Sequence, residues 1–70
     1  MTISNIYLFC QNIAVDTIFN VYKIERDYAF GRDPEYSGIY EHMDSELSEA
    51  TVIKFYINDI DGDIVDVLIY

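Results

Sequence analysis

Seventy residues carrying a net charge of -9 suffice for one domain and not for two, because a chain this short buries only about 60% of the surface its unfolded form exposes. With 51% apolar and 16% aromatic residues, the composition excludes a disordered acidic chain. One cysteine, Cys10, excludes an internal disulfide and points to a reducing cytoplasm, and four basic residues against thirteen acidic ones exclude the basic stripe that direct nucleic-acid binding requires.

Ile3 to Cys10 is apolar, aromatic and β-branched, the composition of a strand buried on both faces. Within it, the apolar run from Ile6 to Cys10 is too short to span a bilayer or to serve as a signal peptide. From Asn12 to Tyr28, the polar residues Asn12, Asp16, Asn20, Lys23 and Asp27 recur at helical spacing opposite Ile13, Ala14, Ile18, Val21, Tyr22, Ile24 and Tyr28. The pattern predicts a helix with one solvent stripe, stopped at Gly31, against a weaker strand signal from its β-branched residues.

Asp33 and Pro34 form a cap and first-turn pair, with Gly38 keeping any helix there brief. A second helix is predicted from Ile39 to Ala50, where Tyr40, Met43, Leu47 and Ala50 share one side and Glu41, Asp44 and Glu49 the other. The C-terminal third reads as a β-hairpin. A loop of Ile60, Asp61 and Gly62 pairs Asp59 with Asp63, Ile57 with Val65, Phe55 with Val67 and Ile53 with Ile69, placing the apolar members on one face. The expected fold is α+β: β-α-α-β-β, with a three-stranded, mostly antiparallel sheet packed by two helices.

Charge is divided unevenly. Residues 1–32 balance Asp16, Glu25 and Asp27 with Lys23, Arg26 and Arg32, whereas residues 33–70 set ten carboxylates against Lys54 alone. Asp33, Glu35, Glu41, Asp44, Glu46 and Glu49 follow one another without an intervening Lys or Arg. Such self-repulsion costs stability in the free chain and is relieved by a basic partner, which also gains a steered on-rate.

Other chemistries find less support. Asp59, Asp61 and Asp63 alternate like the start of a calcium loop, but Gly62 falls at loop position four and Tyr70 stands where a bidentate glutamate belongs. His42 lacks the Cys or His partners of a zinc site, and no nucleophile motif or glycine-rich phosphate loop is present. With thirteen acids in the chain, some carboxylate pair meets any required spacing by chance, so pairs alone do not indicate a hydrolase. The expectation is therefore a protein that is not an enzyme and uses no cofactor or metal. Of its seven tyrosines, Tyr7 and Tyr22 suit the edge of the core, while Tyr36, Tyr40 and Tyr56 lie beside acids as candidate interface anchors.

The acidic segment Asp33 to Glu49, the acidic tip Asp59 to Asp63, the tyrosines and the length together resemble the small acidic inhibitor proteins encoded by bacteriophages, notably anti-CRISPR proteins and other DNA mimics. The resemblance implies a target in the bacterial cytoplasm, such as a CRISPR effector subunit or another basic nucleic-acid-binding protein, blocked at its duplex-binding surface. Asp33, Glu35, Tyr36, Tyr40, Glu41, Asp44, Glu46, Glu49, Asp59, Asp61 and Asp63 are the candidate partner-binding residues. The alternative is an assembly module that pairs through an exposed strand edge.

Overall fold

Thr2 opens the first element with a reciprocal cap. Its N–H donates to Asn5 Oδ1 at 2.9 Å, and the Asn5 N–H donates to Thr2 Oγ1 at 3.2 Å. This is a capping box with asparagine in the usual glutamate or glutamine position, and it starts a helix. The computed structural model describes residues 1–10, 16–24, 33–58 and 63–70. Its order is α1 (Ile3–Cys10), β1 (Ile18–Lys23), β2 (Tyr36–Ile39), a 3-10 turn (Tyr40–His42), α2 (Ser45–Ser48), β3 (Val52–Ile57) and β4 (Ile64–Ile69).

The expected first strand is thus α1. A mostly apolar segment of eight fits either element by pattern, and the cap decides it. Burial confirms the period: Ile3, Ile6 and Tyr7 turn towards the core, whereas Leu8 and Phe9 are 61% and 60% exposed. A strand buried on both faces would have enclosed those two.

The expected helix from Asn12 to Tyr28 is also corrected, because Ile18–Lys23 is β1. Its β-branched and aromatic residues suit a pleated surface, with Phe19 and Val21 facing inward at the two-residue period of a strand. Residues 11–15 and 25–32, including the expected stop at Gly31, lie outside the described residues. Asp33 and Pro34 start no helix. The Glu35 N–H donates to Val21 O at 2.9 Å and leads into β2, which pairs antiparallel with β1. At Gly38 a Cβ would lie 3.2 Å from the Tyr36 hydroxyl oxygen, so the glycine leaves room for that ring.

Ile39–Ala50 is not one helix. Ile39 ends β2, and Met43 and Asp44 are extended. Asp44 is the N-cap of α2, its carboxylate accepting from the Leu47 N–H at 2.7 Å, rather than a mid-helix residue. A short acceptor side chain favours that role over the helix interior. Tyr40, Met43, Leu47 and Ala50 nevertheless all pack against the core.

In the hairpin, Ile57 pairs with Val65 and Phe55 with Val67, as the sequence predicts. The expected Ile53–Ile69 pair is replaced by Val52–Ile69 through a bulge between Val52 and Lys54. Val52 is buried in consequence and Ile53 is 43% exposed. The expected Asp59–Asp63 pair and its turn fall on residues 59–62, outside those described.

The sheet has four strands in the order β2-β1-β4-β3, not three, and its central pair is parallel. Phe19 lies beside Val65 and Val21 beside Val67. With Ile3 and Ile6 of α1, these four form the fully buried centre of the core. The opposite face carries a polar line: Ser37 Oγ donates to Asn20 Oδ1, Asn20 Nδ2 donates to Asp66 Oδ1 at 3.2 Å, and Asn58 Nδ2 donates to Asp66 Oδ2. It crosses β2, β1 and β4 to the residue that follows β3, tying neighbouring strands in register.

Tyr22, buried on that face, also hydrogen-bonds Asp66. Burial pushes its hydroxyl above the ordinary tyrosine range, and the carboxylates of Asp66 and Asp33 push the same way.

Two measurements check these local arrangements. Thr2→Ala is expected to cost about 1 kcal/mol in urea unfolding while Thr2→Ser retains most of it; equal midpoints for the two variants would remove the cap from the account. For Tyr22, a folded value raised above the unfolded one means that the native state keeps a proton the unfolded chain has released. The stabilisation is complete below about pH 10 and is lost as pH rises through the raised folded value. Tyr22→Phe should therefore flatten the alkaline fall of stability; an unchanged alkaline slope would contradict the desolvation of Tyr22.

Candidate partner-binding surface

β2 and β3 are opposite edges of the sheet, and the chain between them carries most of the acidic segment. Tyr40, Met43, Leu47 and Ala50 anchor this connection to the core, and the acidic residues between them turn outward. Glu41, Asp44, Glu46 and Glu49 are all exposed, as are Asp33 and Glu35 ahead of β2.

Three of these acids meet at one groove of about 340 Å³, where β1 and β4 end. Glu35, Asp44 and Glu46 share its rim with Lys23 and Tyr70, and Leu47, Ala50 and Ile69 supply its apolar part. Each acid is held by an identifiable constraint. Glu35 is fixed by its backbone bond to Val21, Asp44 by its cap to Leu47, and Glu46 by its place in the first turn of α2. Three carboxylates beside one ammonium favour a cationic group such as a guanidinium, with the apolar part receiving its methylene stem. An exposed ion pair contributes only about 0.2–1 kcal/mol, so tight binding needs more contacts than this groove offers.

The remaining acids lie elsewhere. Glu41 borders a small depression with Asp16, Tyr7 and Tyr40. Asp63 lies beside the start of β1, its carbonyl accepting from the Ile18 N–H at 2.7 Å. These positions are at the opposite end of the central strands from Lys23 and Ile69, about 17 Å away at the usual rise per residue. The single helical face expected from spacing is therefore two acidic ends joined by the connection.

Glu49 is drawn to α1. The Ser4 hydroxyl oxygen lies 3.0 Å from Glu49 Oε1, from the Ser48 carbonyl and from the Tyr40 hydroxyl. Ser4 has one proton to donate, so it accepts from Tyr40 and gives to one of the two oxygens. Asp33 stands close enough to Tyr22 to help hold the phenol proton. Asp59 and Asp61 lie outside the described residues.

The tyrosines divide differently from expectation. Tyr40 stacks on Tyr7 with ring centroids 4.2 Å apart and meets Phe19 edge-on at 6.4 Å. Tyr36 packs against the core over Gly38. Both brace the interior, whereas Tyr56 is 62% exposed. His42 is exposed in the 3-10 turn.

Sequence reasoning missed Lys23 and Tyr70 at the groove, because only the parallel β1–β4 pairing brings their strand ends together. It also missed Asp66 as the hub of the polar line. The available signal was a lone carboxylate between Val65 and Val67, two residues whose inward direction forces Asp66 onto the other face. Among the described residues, no helix is long and apolar enough to cross a membrane. In comparisons with known proteins, no family model matches the chain, and no match is found among curated proteins or solved structures.

Proposed function

We propose that the chain is a non-enzymatic inhibitor that occupies a basic, nucleic-acid-binding surface of a bacterial protein complex, in the manner of an anti-CRISPR protein that mimics DNA. The observation that carries this reading is the exposure of every carboxylate from Asp33 to Glu49, on a stretch without Lys or Arg. Their arrangement at two ends of the sheet suits a cleft that follows a nucleic-acid backbone. A separation of about 17 Å corresponds to roughly five nucleotide steps of one strand. Lys and Arg side chains of such a cleft would meet Glu35, Asp44 and Glu46 at one end and Glu41, Asp63 and Asp16 at the other. Since each exposed pair is weak, affinity on this reading accumulates over both ends and declines steeply with salt.

Capture of proteins from bacterial lysate by the immobilised chain provides the test, with double-stranded DNA as competitor. The expected result is that nucleic-acid-binding proteins are retained at low salt and released by high salt or by DNA. Glu35→Lys with Glu46→Lys should weaken retention by about tenfold or more, roughly 1.4 kcal/mol, as should Glu41→Lys with Asp63→Lys. These substitutions leave the Asp44 cap intact, so thermal melts should show the fold retained. Retention indifferent to DNA and to both charge reversals would reject the proposal.

A further inference from the structure

β3 is an edge strand. On its inner side the Asn58 N–H donates to Ile64 O at 2.8 Å. Hydrogen-bonded pairs alternate along an antiparallel ladder, so residues 58, 56 and 54 direct their backbone groups at β4, while those of Phe55 and Ile57 point outward. The N-terminal residues close only the start of this edge: Val52 N–H donates to Met1 O at 2.9 Å, and Thr2 bridges Thr51. Beyond that point no backbone hydrogen bond from the described residues reaches the outward groups of Phe55 and Ile57.

Apolar side chains flank this edge. Met1, Ile6, Phe9 and Phe55, with Asn5, line a groove of about 220 Å³ between α1 and β3. Met1 is 66% exposed, Phe9 60%, Ile53 43% and Tyr56 62%. Charge identifies what fits here. Residues 1–10 contain no Asp, Glu, Lys or Arg, and Val52–Ile57 contain Lys54 only, in a chain whose net charge is -9. A basic partner is not drawn to this surface, and two acidic copies placed on it would set no carboxylate of these segments against another.

We infer that a second copy of this chain docks on the outer edge of β3. Antiparallel pairing of β3 with its own copy about a two-fold axis is self-complementary. It pairs the outward backbone groups of Phe55 and Ile57 and joins the two sheets into one. Both copies of α1 then lie on the same face, and Phe9 of each flanks the seam. The four exposed side chains offer about 500 Å² per copy, or roughly 1,000 Å² in all, which is the floor for a specific interface. The dimer is accordingly weak, with a Kd on the order of micromolar. Added salt screens the repulsion between the acidic bodies and tightens it, the opposite of the salt response expected for a basic partner.

Sedimentation velocity over a concentration series at low and high salt, combined with amide hydrogen exchange, tests this surface. The expected result is a monomer–dimer equilibrium shifted towards dimer by salt, with protection of the Phe55 and Ile57 amides rising with protein concentration. Phe9→Glu and, independently, Ile53→Glu should each weaken dimerisation about tenfold or more. Leu8→Glu, exposed on α1 but outside the lining of the groove, should leave it unchanged. A monomer at every concentration up to about millimolar overturns the inference. So does a dimer that persists in either folded variant, or one that forms without added protection at Phe55 and Ile57.

Discussion

The parallel pairing of β1 with β4 is the contact on which the rest of the structure depends. It joins residues far apart in the chain, 46 positions in the case of Asn20 and Asp66. Closing a loop of that length costs about 3 kcal/mol in its length-dependent part. Phe19, Val21, Val65 and Val67 are buried where the two strands meet. Full burial stabilises by about 1.5–3 kcal/mol for each such side chain, so the apolar contacts exceed the closure cost severalfold before conformational entropy is counted. A two-stranded pair such as β1–β2 or β3–β4 is marginal by itself. Joining them makes the inner face continuous and gives α1 a surface to cover.

The same pairing determines where chemistry can occur. Because β1 and β4 run in one direction, their ends coincide, and Lys23 comes beside Ile69. The connection from β2 to β3 must then cross the face of the sheet from edge to edge, and it carries its carboxylates past both ends. The groove around Glu35, Asp44 and Glu46 is a consequence of topology, not of a local motif. On the opposite face the parallel register sets Asn20 beside Asp66, and the polar line shares this dependence. A slip of one residue would exchange that face for the core, burying Asp66 and exposing Val65 and Val67, so packing and hydrogen bonding favour the same register.

What the sequence made legible follows from the range of the interactions. The β3–β4 register was readable because Ile57 with Val65 and Phe55 with Val67 are short-range pairs governed by alternation across a turn. The inward direction of Met43, Leu47 and Ala50 was readable because apolar side chains must be buried whether or not the backbone between them is helical, whereas Tyr40, expected at the surface, packs inward. The types of the first two elements were exchanged for a physical reason. The eight residues from Ile3 to Cys10, six of them apolar, carry no decisive period, and the Thr2–Asn5 cap departs from the usual glutamate or glutamine. In Ile18–Lys23, an apparent polar stripe through Asn20 and Lys23 competed with the β-branched and aromatic composition that the sheet rewards. The parallel pair itself left no local trace, and the groove that depends on it was therefore invisible even though its acids were named individually.

How a chain this small tolerates its acidic connection follows from where those charges are held. Glu41, Asp44, Glu46 and Glu49 are exposed, so they repel through a solvent of high dielectric constant. Two like charges about 6 Å apart in water cost roughly 0.7 kcal/mol, and salt reduces the figure further. Against this, the Tyr40–Tyr7 stack contributes about 0.5–1.5 kcal/mol beyond its area burial, the Asp44 cap about 1 kcal/mol, and Met43, Leu47 and Ala50 add apolar contact with the core. Each outward carboxylate thus has an inward neighbour whose packing matches or exceeds its repulsion. The connection can remain strongly negative because alternate side chains pin it to the sheet, and this separation of roles keeps the acids outward without requiring a continuous helix.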